Sequence, residues 1–152
     1  RDRPFFAYVP YTMVHTRLDA SPDFKGKSSR GLYGDTVEEI DFNCGRIIDE
    51  LKKHDLTGNT YFLFTSDNGG ETNVTSNAPL RAGKSSLYEG GIRVPLIVHW
   101  PRVVPPGKVC HTPTSNVDFY PTLLACANVK PDPRQRLDGV SILPILKTTI
   151  PS

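Results

Sequence analysis

Apolar side chains recur at three- and four-residue steps in the first half of the chain: Val37, Ile40, Cys44, Ile47, Ile48 and Leu51. That period lays one apolar stripe along a helix. Asp35 or Thr36 is placed to cap its start. Glu38 and Glu39 suit the positive end of the helix dipole, and Lys52, Lys53 and His54 the negative end. Gly58-Asn59 then breaks the chain.

Three other segments have strand character. Residues 5–9 are short, aromatic-rich and closed by Pro10, the pattern of a buried strand. Residues 60–65 have no polar alternation within their apolar centre, which suits a strand covered on both faces in a parallel sheet. Residues 94–100 form the third, with Pro95 required to sit at its beginning or at an edge. A polar loop separates the first strand from the helix, and a Gly/Asn/Ser-rich loop runs from Asp67 to Gly91. A short helix is expected over residues 118–127, with Tyr120, Leu123, Leu124 and Ala127 inward and Pro121 tolerated in its first turn. Residues 141–146 predict a last helical turn or two. This order of elements predicts an α/β sheet, with ligands bound outside the carboxyl ends of its strands. His15 follows the first strand and Asp67-Asn68 the second.

Composition narrows the function classes. With 38% hydrophobic and 22% charged residues, the 152-residue chain has the apolar material for a packed core. A net charge of +2 without a basic run gives no support for a nucleic-acid partner. No stretch approaches the ~18 apolar residues of a membrane span. Cys44, Cys110 and Cys126 fit no zinc spacing, and their odd number gives no complete disulfide framework; three buried or partly buried thiols are expected. Asn73-Val74-Thr75 is a glycosylation sequon.

Few residues carry candidate chemistry. Asp67-Asn68 offers one anionic and one neutral oxygen, a donor type preferred by Ca²⁺ or Mg²⁺, although Asp, Asn and Gly also make plain turns. Two residues do not fill a Ca²⁺ shell of about 6–8 oxygens. Gly83-Lys84-Ser85-Ser86 is not a nucleotide-binding loop, because Ala78 stands where that pattern needs Gly and no strand directly precedes it. His15 is a loop histidine able to move a proton near neutral pH. His54, His99 and His111 read as surface, strand and loop histidines.

Taken in order, these segments resemble the sulfatase family. The resemblance rests on Pro4-Phe5-Phe6-Ala7-Tyr8 with Val14-His15-Thr16, on Thr65-Ser66-Asp67-Asn68-Gly69, and above all on the block from Gly83-Lys84 through Tyr88-Glu89-Gly90-Gly91-Ile92-Arg93-Val94-Pro95. Asp118-Phe119-Tyr120-Pro121-Thr122 and Leu137-Asp138-Gly139-Val140-Ser141 look like its later landmarks.

The resemblance implies an alkaline-phosphatase-like α/β sandwich, a mostly parallel sheet flanked by helices. It implies hydrolysis of sulfate monoesters by a formylglycine nucleophile beside a divalent cation, Ca²⁺ or else Mg²⁺. By motif, Asp67 and Asn68 would bind the metal, Lys84 would contact the sulfate, and His15 would contact sulfate or protonate the leaving oxygen. The substrate would be a sulfated small molecule or glycan, and family habit points to secreted, periplasmic or lysosomal placement. Cys44, Cys110 and Cys126 all fail the Cys/Ser-x-Pro-x-Arg pattern that yields formylglycine, and the family's early acidic pair and upstream Lys and His are missing. Residues 1–152 are therefore expected to be part of a sulfatase catalytic domain, lacking the N-terminal nucleophile segment and the C-terminal subdomain. The remainder of that chain would be its partner, and the piece alone would be inactive. The alternatives are a phosphomonoester or phosphonate hydrolase of the same superfamily, or a non-catalytic module that keeps the fold.

Overall fold

The computed structural model describes residues 3–147. The chain forms two compact units: one comprises the chain up to His54 with Asp67–Val94, the other Asp55–Ser66 with the chain from Pro95 onward.

In the first unit the periodic segment is helix α1, Gly31–Lys53. It begins earlier than the apolar stripe because Asp35 is not its cap. The Asp35 carboxylate accepts the backbone N–H groups of Gly26, Lys27 and Ser28 at 2.8, 3.1 and 2.7 Å. These bonds, that from Ser28 foremost, hold its carboxyl below the usual carboxylate range. Thr36 does not cap either; it is buried and donates to the Tyr33 carbonyl at 2.7 Å. With the start at Gly31, Glu38 and Glu39 lie beyond the first turn, and Glu39 accepts the Ser21 N–H at 2.8 Å instead. The polar loop thus folds back on α1, and Phe24 meets Phe42 with ring centroids 5.4 Å apart. Lys52 and Lys53 do occupy the last turn, and His54 follows as the C-cap.

The expected strand over residues 5–9 is not formed. Its apolar side chains are open to solvent, Phe6 at 75% and Tyr8 at 79%. A strand exists only where its backbone groups meet a partner, and no ladder among the described residues reaches this segment. The Gly-rich loop ends in a short helix α2, Glu89–Ile92.

The second unit holds strands β1, Phe62–Thr65, and β2, Leu96–His99. They pair antiparallel, Phe62 opposite His99 and Thr65 opposite Leu96. The parallel partner expected for β1 is therefore not found among the described residues. Pro95 sits just before β2, where its missing N–H costs no ladder bond. Leu96 and Val98 face inward, Ile97 and His99 outward.

Helix α3, Phe119–Cys126, carries Pro121 in its first turn, as expected. Its inward side differs in part from the expected one: Leu123 and Leu124 are half-buried as expected, but Thr122 is the buried residue, and Tyr120 and Ala127 are exposed. Hydrogen bonding explains the exchange. Thr122 Oγ1 donates to the Asp118 carbonyl at 2.6 Å and accepts the Ile142 N–H at 3.0 Å. Asp118 carboxylate oxygens accept from Ser115 and Val140 N–H groups at 2.8 and 2.9 Å. Residues 140–142 are thereby stitched to α3, and helix α4, Leu143–Lys147, follows. Ile142 is the one buried large hydrophobic residue among those described.

Helices and strands are both present, as an α/β reading requires. The three cysteines are free. Cys44 and Cys126 are half-buried, and burial raises their thiol pKa. Cys110, expected to be at least partly buried, is exposed. No helix among the described residues is long and apolar enough to cross a membrane.

Candidate active site

Asp67 and Asn68 follow β1 after Ser66, in a bend where Asp67 is exposed and Asn68 half-buried. The Asn68 side-chain amide donates to the Gly69 carbonyl at 3.0 Å. From there two glycines lead the chain into a tight backbone-on-backbone arrangement. Gly69 N–H donates to the Gly91 carbonyl at 2.9 Å. A Cβ on Gly69 would overlap the Gly90 carbonyl oxygen, so only glycine permits this approach.

Gly70 is held on both of its backbone groups. Its N–H donates to Asn77 Oδ1, and its carbonyl accepts Asn77 Nδ2, both at 2.8 Å. The same carbonyl accepts the Lys84 N–H at 3.1 Å. The Lys84 main chain is thus fixed two residues from Asn68, within one unit. Ala82 and Ser85, with φ of 62° and 69°, flank Gly83-Lys84 in the left-handed region. Non-glycine residues there cost roughly 1–2 kcal/mol each, and surrounding bonds must hold them in place. Among the described residues, neither the Asp67 carboxylate nor the Lys84 ammonium enters an ion pair.

His15 is exposed in the first loop, its N–H donating to the Thr12 carbonyl at 3.2 Å. Ring Nδ1 lies against the Thr16 carbonyl, which can only accept, so Nδ1 carries a proton and Nε2 is the atom left to face a ligand. No hydrogen bond or ion pair among the described residues joins His15 to the loop over residues 67–91. The structure therefore brings Lys84 to the Asp67-Asn68 bend through its backbone, and leaves His15 on a separate loop. Two clefts of about 170 and 560 Å³ lie beside α1, lined by residues such as Tyr11 and Asn43 and by none of the four candidates.

The donor set suits a hard divalent cation in type but not in number. Asp67 and Asn68 offer two ligating side chains, and no group of three or more His, Cys, Asp or Glu gathers among the described residues. Asn77, with its paired bonds to Gly70, was invisible in the sequence, where it is one Asn among several in a polar loop.

Comparison with known proteins bears on the family of the chain. The family described as Sulfatase matches residues 1–129. Human steryl-sulfatase is 42% identical over 156 residues, which cover 96% of this chain and 27% of that protein. Porcine N-acetylgalactosamine-6-sulfatase is 40% identical, covering 94% of this chain and 28% of that one. Among solved structures, that of Ps i-CgsB in complex with k-i-k-neocarrahexaose superposes with a TM-score of 0.86 at 41% identity, over 95% of this chain and 34% of the other. The chain thus spans about a quarter of the length of these curated relatives. With a family match over most of its length, and relatives well above 30% identity, the chain belongs to the sulfatase family.

Proposed function

We propose that this chain is part of a sulfatase catalytic domain of alkaline-phosphatase-like fold, which hydrolyses the sulfate monoester of a glycan or small molecule. The observation that carries the reading is the Lys84 N–H bond to the Gly70 carbonyl, which fixes a cationic residue beside an Asp-Asn pair. Steryl-sulfatase and N-acetylgalactosamine-6-sulfatase among the relatives, and the neocarrahexaose complex among the structures, support both substrate classes. The exposed aromatics over residues 5–9 suit a strand whose partners lie elsewhere in the protein.

Asp67 and Asn68 would hold a divalent cation, Ca²⁺ or else Mg²⁺. Such a cation supplies positive charge that polarises a sulfate oxygen. The nucleophile, a formylglycine, would come from a segment outside this chain. The chain's own residues do the rest. Attack on sulfur leaves negative charge on the sulfate oxygens and on the departing oxygen. The Lys84 ammonium, on its braced backbone, binds and orients the sulfate oxygens and stabilises their charge. His15, with Nδ1–H satisfied by Thr16, presents Nε2; when the ring is protonated, it gives that proton to the leaving oxygen.

Turnover of 4-methylumbelliferyl sulfate by the full-length protein tests this. Wild type is expected to hydrolyse the sulfate ester faster than the matching phosphate ester, and Lys84→Ala to lower the rate on the order of 10²-fold. Equal rates for wild type and Lys84→Ala, or preference for the phosphate, would overturn the reading.

A further inference from the structure

Two side chains near Lys84 have no part in the chemistry above. The guanidinium carbon of Arg81 lies 3.8 Å from the centroid of the Tyr88 ring. Both residues are exposed, so burial does not force them together. Their backbones close the same loop: Gly90 N–H donates to the Arg81 carbonyl and Gly91 N–H to the Tyr88 carbonyl, each at 2.8 Å. Residues 81–90 form a lariat with Lys84 inside it. The Ser86 N–H turns back onto the Gly83 carbonyl at 3.1 Å, and Ala82 and Ser85 hold left-handed conformations on either side. A Cβ on Gly90 would overlap the carbonyls of Arg81 and Ala82, so the neck of the lariat is closed at van der Waals contact.

We infer that Arg81 and Tyr88 are a positioning pair for Lys84. The cation lying on the ring face closes the neck from the side-chain side, as the Gly90 bond closes it from the main-chain side. Together they fix the direction in which the Lys84 side chain leaves the loop. The inference rests on Lys84 contacting the sulfate, and it adds residues that act only through that lysine.

A double-mutant cycle in the full-length protein tests it, because residues acting through one another are non-additive. Arg81→Ala and Tyr88→Leu are each expected to lower kcat on 4-methylumbelliferyl sulfate about two- to fivefold, the size of an exposed cation–π contact expressed as a rate. Tyr88→Phe, which keeps the ring face, should recover most of that loss. In a Lys84→Ala background, Arg81→Ala should change nothing further; an equal loss in both backgrounds overturns the inference.

A second readout does not depend on turnover. After reductive ¹³C-methylation, the Lys84 resonance, identified by its loss in Lys84→Ala, is expected to shift or broaden in Arg81→Ala and Tyr88→Leu and to hold its place in Tyr88→Phe. An unmoved line in the first two overturns the positioning role. Absence of sulfate-ester turnover in wild type overturns only the proposed function, because the resonance still decides the pair.

Discussion

Lys84 donates its backbone N–H to the carbonyl oxygen of Gly70 at 3.1 Å, and Asn77 Nδ2 donates to the same oxygen at 2.8 Å. One acceptor therefore holds two segments that lie seven and fourteen residues away along the chain. Besides the Gly69–Gly91 bond, the relative position of the Asp67-Asn68 bend and the Lys84 loop depends on the Gly70 carbonyl, and one asparagine clamps that residue at both its N–H and its C=O.

Removing that asparagine is the direct test of the clamp. Asn77→Ala deletes two hydrogen bonds to Gly70, each with a net value of about 0.5–1.5 kcal/mol. The loop is expected to open locally while both units stay folded. Amide hydrogen exchange should then accelerate on the order of tenfold at Gly70 and Lys84, and not in α1. Unchanged exchange at both amides would mean that the glycine contacts alone hold the loop.

The buried polar stitch in the second unit supplies a stability prediction. Thr122→Val keeps the side-chain shape but leaves the Ile142 N–H without its acceptor, in a place where neither residue is more than 4% exposed. Leaving a buried donor unpaired costs about 1–3 kcal/mol. Denaturant unfolding should show that loss for Thr122→Val and little of it for Thr122→Ser, which retains the hydroxyl. Equal stability of the two variants would show that the hydroxyl is not what seats residues 140–142.

Tyr61 gives the second unit a pH dependence at the alkaline end. Its ring packs edge-on to Trp100 at 5.8 Å, and its hydroxyl has no partner among the described residues. Burial pushes its phenol up to about 12, with the Cys126 thiol adding to the rise. A raised folded-state pKa gives stability that is fully present below the ordinary value near 10. It is lost as pH climbs from there through about 12. Phenolate absorbance should show one of the six tyrosines ionising near 12, together with unfolding of its unit. Tyr61→Phe should remove that step and leave neutral-pH stability equal or higher, since it deletes an unpaired buried hydroxyl.

How far the sequence spoke for the fold depends on the range of the interactions involved. The α1 stripe was legible because it is local and periodic. The early start of α1 was not, because Asp35 bonds seven to nine residues back into the loop, which no cap pattern encodes. The apolar run within residues 60–65 announces a strand but not its partner's direction, since antiparallel and parallel ladders bury the same residues. Thr122 reads as an ordinary helix position, and only its two bonds make it the inward one. At the site, the roles of Asp67, Asn68, Lys84 and His15 come from the family resemblance, whereas Asp67-Asn68 by itself reads equally as a plain turn. Asn77, Arg81 and Tyr88 carried no local signal, because their roles exist only once the loop closes on itself.

The last expectation concerns metal. Ca²⁺ takes about 6–8 oxygen ligands, and a protein site gains affinity by supplying most of them pre-arranged. Asp67 and Asn68 supply two, and no group of three or more acidic, His or Cys side chains gathers elsewhere among the described residues. Water would have to fill the remaining positions, and the one carboxylate gives little charge to hold the ion. Calorimetry on the 152-residue chain is therefore expected to show Ca²⁺ binding in the millimolar range or weaker. Mg²⁺, which keeps several waters and relies on one or two carboxylates, should compete on nearly equal terms. Asp67→Ala should abolish what binding there is, and Asn68→Ala should weaken it less, because an amide oxygen carries no net charge. The full-length protein should bind Ca²⁺ far more tightly and lose that affinity in Asp67→Ala, the result expected if the remaining ligands come from outside this chain. Micromolar affinity in the isolated chain, untouched by Asp67→Ala, would place the metal site on residues other than these two.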